Sequence, residues 1–151
     1  MSRAYASIGT QTTASPTDTA LTIQSTTALR PEVYYLSMGC TGSPTDVQLR
    51  ITLQRFTTDD GTGSGITPNA LRDGYPAATC VVQSDHTGEP SAYTAGEVPL
   101  DLPFNTRATH QWIAIPDSEI NLPAVATEGI GIAPVHASAT NVVLITMYHR
   151  E

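Results

Sequence analysis

A chain of 151 residues suits a single domain, and at that length roughly 70% of the unfolded surface can be buried without staples. Only 14% of residues are charged against 40% hydrophobic, and the net charge is −7, with 7 Lys plus Arg. A basic face for phosphates cannot be built from so few cations, which argues against nucleic acid and an anionic membrane as partners. No apolar run approaches the length of a bilayer span.

Residues 1–18 are rich in Thr and Ser, contain Pro16 and show weak periodicity. They read as an extended N-terminal arm with Tyr5 and Ile8 as its apolar anchors. Met1–Ile8 has no apolar h-region, so no secretory signal is expected. Folding in a cytoplasm is then expected, where Cys40 and Cys80 would be thiols rather than a bridge. Ala20–Gln24 alternates as a short strand, and Glu32–Met38, rich in aromatic and β-branched residues, is a stronger one. Gly39–Asp46 turns the chain into the clearest element, Val47–Gln54. There Val47, Leu49, Ile51 and Leu53 share one face while Gln48, Arg50, Thr52 and Gln54 share the other. Such alternation belongs to an antiparallel sheet with one wet face, and the preceding strand is expected beside it. Phe56 falls on the polar set, which calls for a bulge near Gln54–Arg55 or a strand end there.

Residues 57–78 form a connection of about twenty residues, a length that commonly marks a contact surface. Within it Thr67 can cap, Pro68 suits a first helical position and Gly74 can stop a short helix. Cys80–Gln83 is a strand, and 84–99 reads as a turn-rich loop. Leu100–Pro103 and His110–Ile115 look like two strands joined around Asn105–Arg107, with Glu119–Leu122 and Gly129–Pro134 following. Both faces of Asn141–His149 are apolar through Val142–Ile145, so this strand is expected to be central and covered on both sides. About eight short strands separated by turns give an all-β, single-domain antiparallel β-sandwich, jelly-roll-like, over residues 19–151.

Motifs for chemistry are weak. Asp59-Asp60-Gly61-Thr62-Gly63-Ser64-Gly65 lacks the helix start and Lys of a phosphate cradle and the spaced oxygens of a calcium loop, so it reads as a surface loop. His86, His110, His136 and His149 show no close spacing with one another or with cysteine, although metal ligands can also converge from distant strands. Gly63-Ser64-Gly65 does not make a nucleophile elbow, because Thr62 stands two before Ser64. Asp101, Asp117, Glu119 and Glu128 sit at strand ends or turns, the ordinary place for solvated charge. Trp112 reads as a core residue in preference to a sugar platform. No enzyme, cofactor or metal is expected.

Several blocks resemble a family of small tailed-phage virion proteins. They are Arg30-Pro31-Glu32-Val33-Tyr34-Tyr35-Leu36, Gln54-Arg55-Phe56-Thr57, Ile66-Thr67-Pro68-Asn69-Ala70-Leu71, Phe104 through Trp112, and Gly129-Ile130-Gly131-Ile132. The resemblance spans residues 30–151 and contains no catalytic fingerprint. It implies a head decoration (cement) protein on the capsid exterior, bound to the major capsid protein, expected as a homotrimer made in the host cytoplasm. The arm and the 57–78 connection are then the expected capsid or neighbour contacts, through Arg3, Tyr5, Ile8, Asp59, Asp60, Asn69 and Arg72. The alternative is a carbohydrate- or receptor-binding β-sandwich module of a virion, using Trp112 and the tyrosines.

Overall fold

A computed structural model describes residues 2–12, 19–135 and 140–151. Among them the chain is all-β: two antiparallel sheets face each other across one apolar core. The first sheet runs β10 (His110–Ile113), β3 (Glu32–Thr41), β13 (Val142–Arg150), β1 (Ala4–Thr12) and β6 (Asn69–Ala70), with β11 (Ile120–Asn121) also on β3. The second runs β5 (Thr62–Ile66), β7 (Val81–Gly88), β2 (Leu21–Gln24), β12 (Gly129–Val135), β4 (Gln48–Asp59) and β8 (Ser91–Tyr93), with β9 (Leu100–Asn105) on β4. This order establishes a two-sheet antiparallel sandwich, a coarser statement than a jelly roll.

The core is built by period-two alternation from both sides. Val33, Leu36 and Met38 of β3 and Val143, Ile145 and Met147 of β13 face Leu21 and Ile23 of β2, Leu49, Ile51 and Leu53 of β4, and Ile130 and Ile132 of β12; all are buried. The Val47–Leu53 face is therefore the core face it was read to be. Its partner differs from expectation: β3 lies in the opposite sheet, and β4 pairs with β12 on one side and β9 and β8 on the other. The Gly39–Asp46 connection crosses between sheets instead of closing a hairpin. The Asn105–Arg107 connection crosses likewise, carrying the chain from β9 to β10.

Other expectations are corrected. Residues 4–12 are no arm: β1 pairs with β13 from Ala4↔Arg150 to Thr12↔Val142 and with β6 on its other edge. Its odd positions, Tyr5 through Gln11, are buried. The remainder of the expected arm, residues 13–18, lies outside the described residues, as does His136. No bulge interrupts β4 against β12, where the register runs unbroken from Arg50 to Phe56. Phe56 stays on the outer face and is buried there because Tyr93 meets it edge-on, with ring centroids 6.4 Å apart. Gly129 makes that burial possible: a Cβ on it would stand 2.4 Å from Phe56 Cζ. Next along β12, a Cβ on Gly131 would clash with Tyr93 Oη, which lies 2.8 Å from Thr19 Oγ1. The 89–97 segment thus roofs part of the second sheet.

The helix signal at 67–74 does not produce a helix. Five residues cannot nucleate one in water, and Asn69–Ala70 pair with β1 instead, Leu71 N–H donating to Ala4 O at 2.9 Å. Gly74 does adopt a left-handed φ of 82°. β13 is central in its sheet as expected, but it is covered on one face only, since Val142 is exposed and Leu144, Thr146 and Tyr148 are half-buried. Pro134 is accommodated because β2 pairs with β12 only from Gly129 to Ile132, so its missing N–H falls past that ladder.

Candidate functional site

The expected contact residues divide into two groups. Arg3, Asn69 and Arg72 are exposed around the β1–β6 edge, and Ile8, 50% exposed, points outward from β1. Tyr5 is wholly buried within this chain, its hydroxyl donating to Pro76 O at 3.0 Å, so its side chain is a packing anchor. Asp59 ends β4 of the other sheet, and Asp60 lies in the β4–β5 connection. Asp59 is exposed, whereas Asp60 is buried and accepts from Gln83 Nε2. Gly61, at φ 81°, lets this connection pass within touching distance of Gly88–Pro90, and Thr62–Gly65, expected as a surface loop, belong to β5 paired with β7.

The residues that form one continuous surface were largely missed. Cross-strand register places Ile8, Thr146, Ser37 and Gln111 in one row across β1, β13, β3 and β10. The adjacent row is Ala6, Tyr148, Tyr35 and Ile113. Both lie on the outer face of the first sheet, with Thr10, Leu144 and Gly39 beyond them. Neither row contains a charged side chain. Tyr35 and Tyr148 stack with centroids 4.7 Å apart, and Tyr34 tilts against Tyr148 at 6.2 Å. Charge lies at the margins: Arg150 sits over the Tyr34 ring at 4.9 Å and donates to Glu119 Oε1 at 3.0 Å, and Arg3 and Arg72 flank the β1–β6 edge. At the β10 edge Ile113 is 64% and Ile115 72% exposed, the most exposed large apolar side chains among the described residues.

A face of tyrosine, isoleucine, threonine and small residues, depleted in charge and unroofed, has the composition of an interface centre. The second sheet's outer face differs. It is roofed by 89–97 and carries the Arg50–Asp101 pair at 2.8 Å. Trp112 is half-buried against the core from β10, so it serves packing and is no exposed platform. The alternation of Val142–Tyr148 carried part of this face in the sequence; the rows required the strand order.

A separate cluster joins the ends of β13 and β7. Cys80 Sγ lies 3.3 Å from His149 Nε2, and one carboxylate oxygen of Glu151 falls within 4.8 Å of both. Cys80 N–H (2.8 Å) and Thr79 N–H (3.0 Å) donate to the Glu151 carboxylate, as does the Thr79 hydroxyl. Tyr5 stacks on the His149 ring at 5.6 Å. Burial pushes the Cys80 thiol up, and the adjacent Glu151 adds to the shift. Burial draws His149 down to about 4, so its ring is neutral at pH 7. Burial alone would raise Glu151, but the Cys80 and Thr79 donors outweigh it and hold the carboxyl below its usual range. Both cysteines are free thiols. Comparison with models of protein families, with curated proteins and with solved structures returns no match.

Proposed function

We propose that this chain is a head decoration (cement) protein of a tailed phage, docking on the exterior of the capsid through the outer face of its first sheet. The observation that carries the reading is that face: uncharged across β1, β13, β3 and β10, and ending in exposed Ile113 and Ile115. The virion-protein resemblance of residues 30–36 and 104–112 supports it, because those blocks supply Tyr34, Tyr35 and the β10 edge. At about 4.8 Å between strands and 3.4 Å per residue the face covers roughly 400 Å². That is about half of one partner's share of a standard interface. One copy therefore binds weakly, and a trimer makes the contact persistent by raising effective concentration. Binding the assembled shell and not its dissociated subunits then stabilises the shell by mass action, with no reaction catalysed.

The test is sedimentation of the purified protein with undecorated expanded heads. Wild type should co-sediment saturably and raise the temperature at which heads open. A Tyr35→Glu, Ile113→Glu variant, altered only at half-buried or exposed positions, should still melt cooperatively, a few degrees below wild type for the lost Tyr35–Tyr148 stacking, and bind at least about tenfold more weakly. Absence of binding by wild type, or equal binding by the variant, contradicts the reading. A glycan array probes the carbohydrate-binding alternative, and specific capture there would favour it.

A further inference from the structure

We propose that Cys80 Sγ, His149 Nε2 and a Glu151 carboxylate oxygen bind one zinc-class divalent cation, which clips the end of β13 in one sheet to the start of β7 in the other. The three donors come from positions 69 and 71 residues apart in the chain, yet all lie within 4.8 Å of one another. With zinc–sulfur and zinc–nitrogen bonds of about 2.3 and 2.0 Å, tetrahedral geometry separates sulfur from nitrogen by about 3.5 Å. Cys80 and His149 stand at 3.3 Å already. A thiolate, an imidazole and a carboxylate together select a borderline-soft ion over magnesium or calcium.

Further observations point to an ion and not merely to a hydrogen-bonded cap. His149 is wholly inaccessible, and among the described residues its Nε2, the nitrogen that would bind the ion, meets only the Cys80 sulfur. Such a buried imidazole is poorly served by its neighbours. The surrounding groups fix the ligands: Cys80 and Thr79 N–H orient Glu151, and the Tyr5 ring holds the plane of His149. Outer-shell contacts of this kind set ligand geometry. Binding converts the Cys80 thiol to thiolate and releases one proton to solvent. The ion's two positive charges then meet one thiolate and one carboxylate, leaving the filled site neutral, as its depth requires. Glu151 is only half-buried, so its side offers the entry path and a fourth position for water.

The full chain, stripped with a chelator and refolded, would be titrated with Co²⁺ and then Zn²⁺. One equivalent of Co²⁺ should give a thiolate-to-metal charge-transfer band with tetrahedral d–d bands. Zn²⁺ should bleach both and raise the melting midpoint by several degrees, increasingly with its concentration. Cys40→Ser should retain the band. Cys80→Ser should lose it and bind Co²⁺ at least about 100-fold more weakly, more than an outer-shell change costs. Should Cys80→Ser fail to fold, Glu151→Gln, at a half-exposed position, should keep the charge-transfer band but weaken Co²⁺ binding at least about tenfold. A folded wild type with no band in excess Co²⁺ and no melting shift with Zn²⁺ overturns the proposal. Equal Co²⁺ affinity in wild type and the folded ligand variants does the same.

Discussion

Deleting residues 1–12 is expected to abolish folding. β1 is an interior strand, held by β13 along its whole length and by β6 on its other side. It brings Tyr5 into the core region and closes over Leu21, whose Cδ1 lies 2.8 Å from where a Cβ on Gly9 would stand. Truncating one large buried aromatic costs about 3–5 kcal/mol. A whole domain is stable by only about 5–15 kcal/mol, and the deletion also strips a ladder of backbone hydrogen bonds. Circular dichroism during a thermal ramp should show no cooperative melt, or the product should be insoluble. A truncated chain melting cooperatively near the full-length temperature would show β1 to be dispensable.

Gly129→Val should be the most damaging single substitution on the second sheet. A Cβ there would stand 2.3 Å from the Ile23 carbonyl oxygen, 2.4 Å from Phe56 Cζ and 3.0 Å from Gln24 Cα. The oxygen belongs to the paired β2 strand and cannot withdraw without parting β2 from β12. Overpacking of side chains costs about 1–3 kcal/mol, and a backbone clash belongs at or beyond the top of that range. For a domain of this size about 3 kcal/mol lowers the melting temperature by roughly 10 °C. Gly65→Ala is the matched control: beyond its chain neighbours, no atom of the described residues lies within 4 Å of its Cβ position, so its melting temperature should move by no more than about 2 °C. Equal melts for the two variants would contradict the packing described around β12.

Local alternation revealed most strands and the sandwich class. Leu49–Leu53 carries an apolar side chain at every second position and buries that face, whereas Val142 and Leu144 made both faces of the last strand read as core although only Val143, Ile145 and Met147 are buried. β1 escaped because its inward positions after Tyr5 are Ser7, Gly9 and Gln11. These pack at an end of the core that needs small or hydrogen-bonded groups, Gln11 Nε2 donating to His86 O at 3.0 Å. Their pattern is geometric and not hydrophobic. The assignment of β3 and β4 to different sheets was also hidden, because a connection that crosses the sandwich carries the same Gly, Ser and Pro residues as a hairpin. Phe56 broke the alternation for a tertiary reason, the roof provided by Tyr93. The Cys80–His149–Glu151 cluster lay beyond spacing rules, since its members meet only when the ends of β13 and β7 are brought together.

The uncharged outer face of the first sheet was legible only in part. Tyr34 and Tyr35 stood out as strand aromatics, but their contact with Tyr148 depends on the β3–β13 register. Arg3, Asn69 and Arg72 border this sheet at its opposite edge, while Asp59 and Asp60 belong to the other sheet. A single docking footprint therefore does not include all the expected contact residues.

The most direct measurement is cryo-microscopy of expanded phage heads incubated with this protein. Ordered density on the exterior should place β1, β13, β3 and β10 against the shell or a neighbouring copy, with Tyr35, Tyr148 and Ile113 buried in the contact. Bare heads, or heads contacted only through the roofed face around Tyr93 and Arg50, would contradict it.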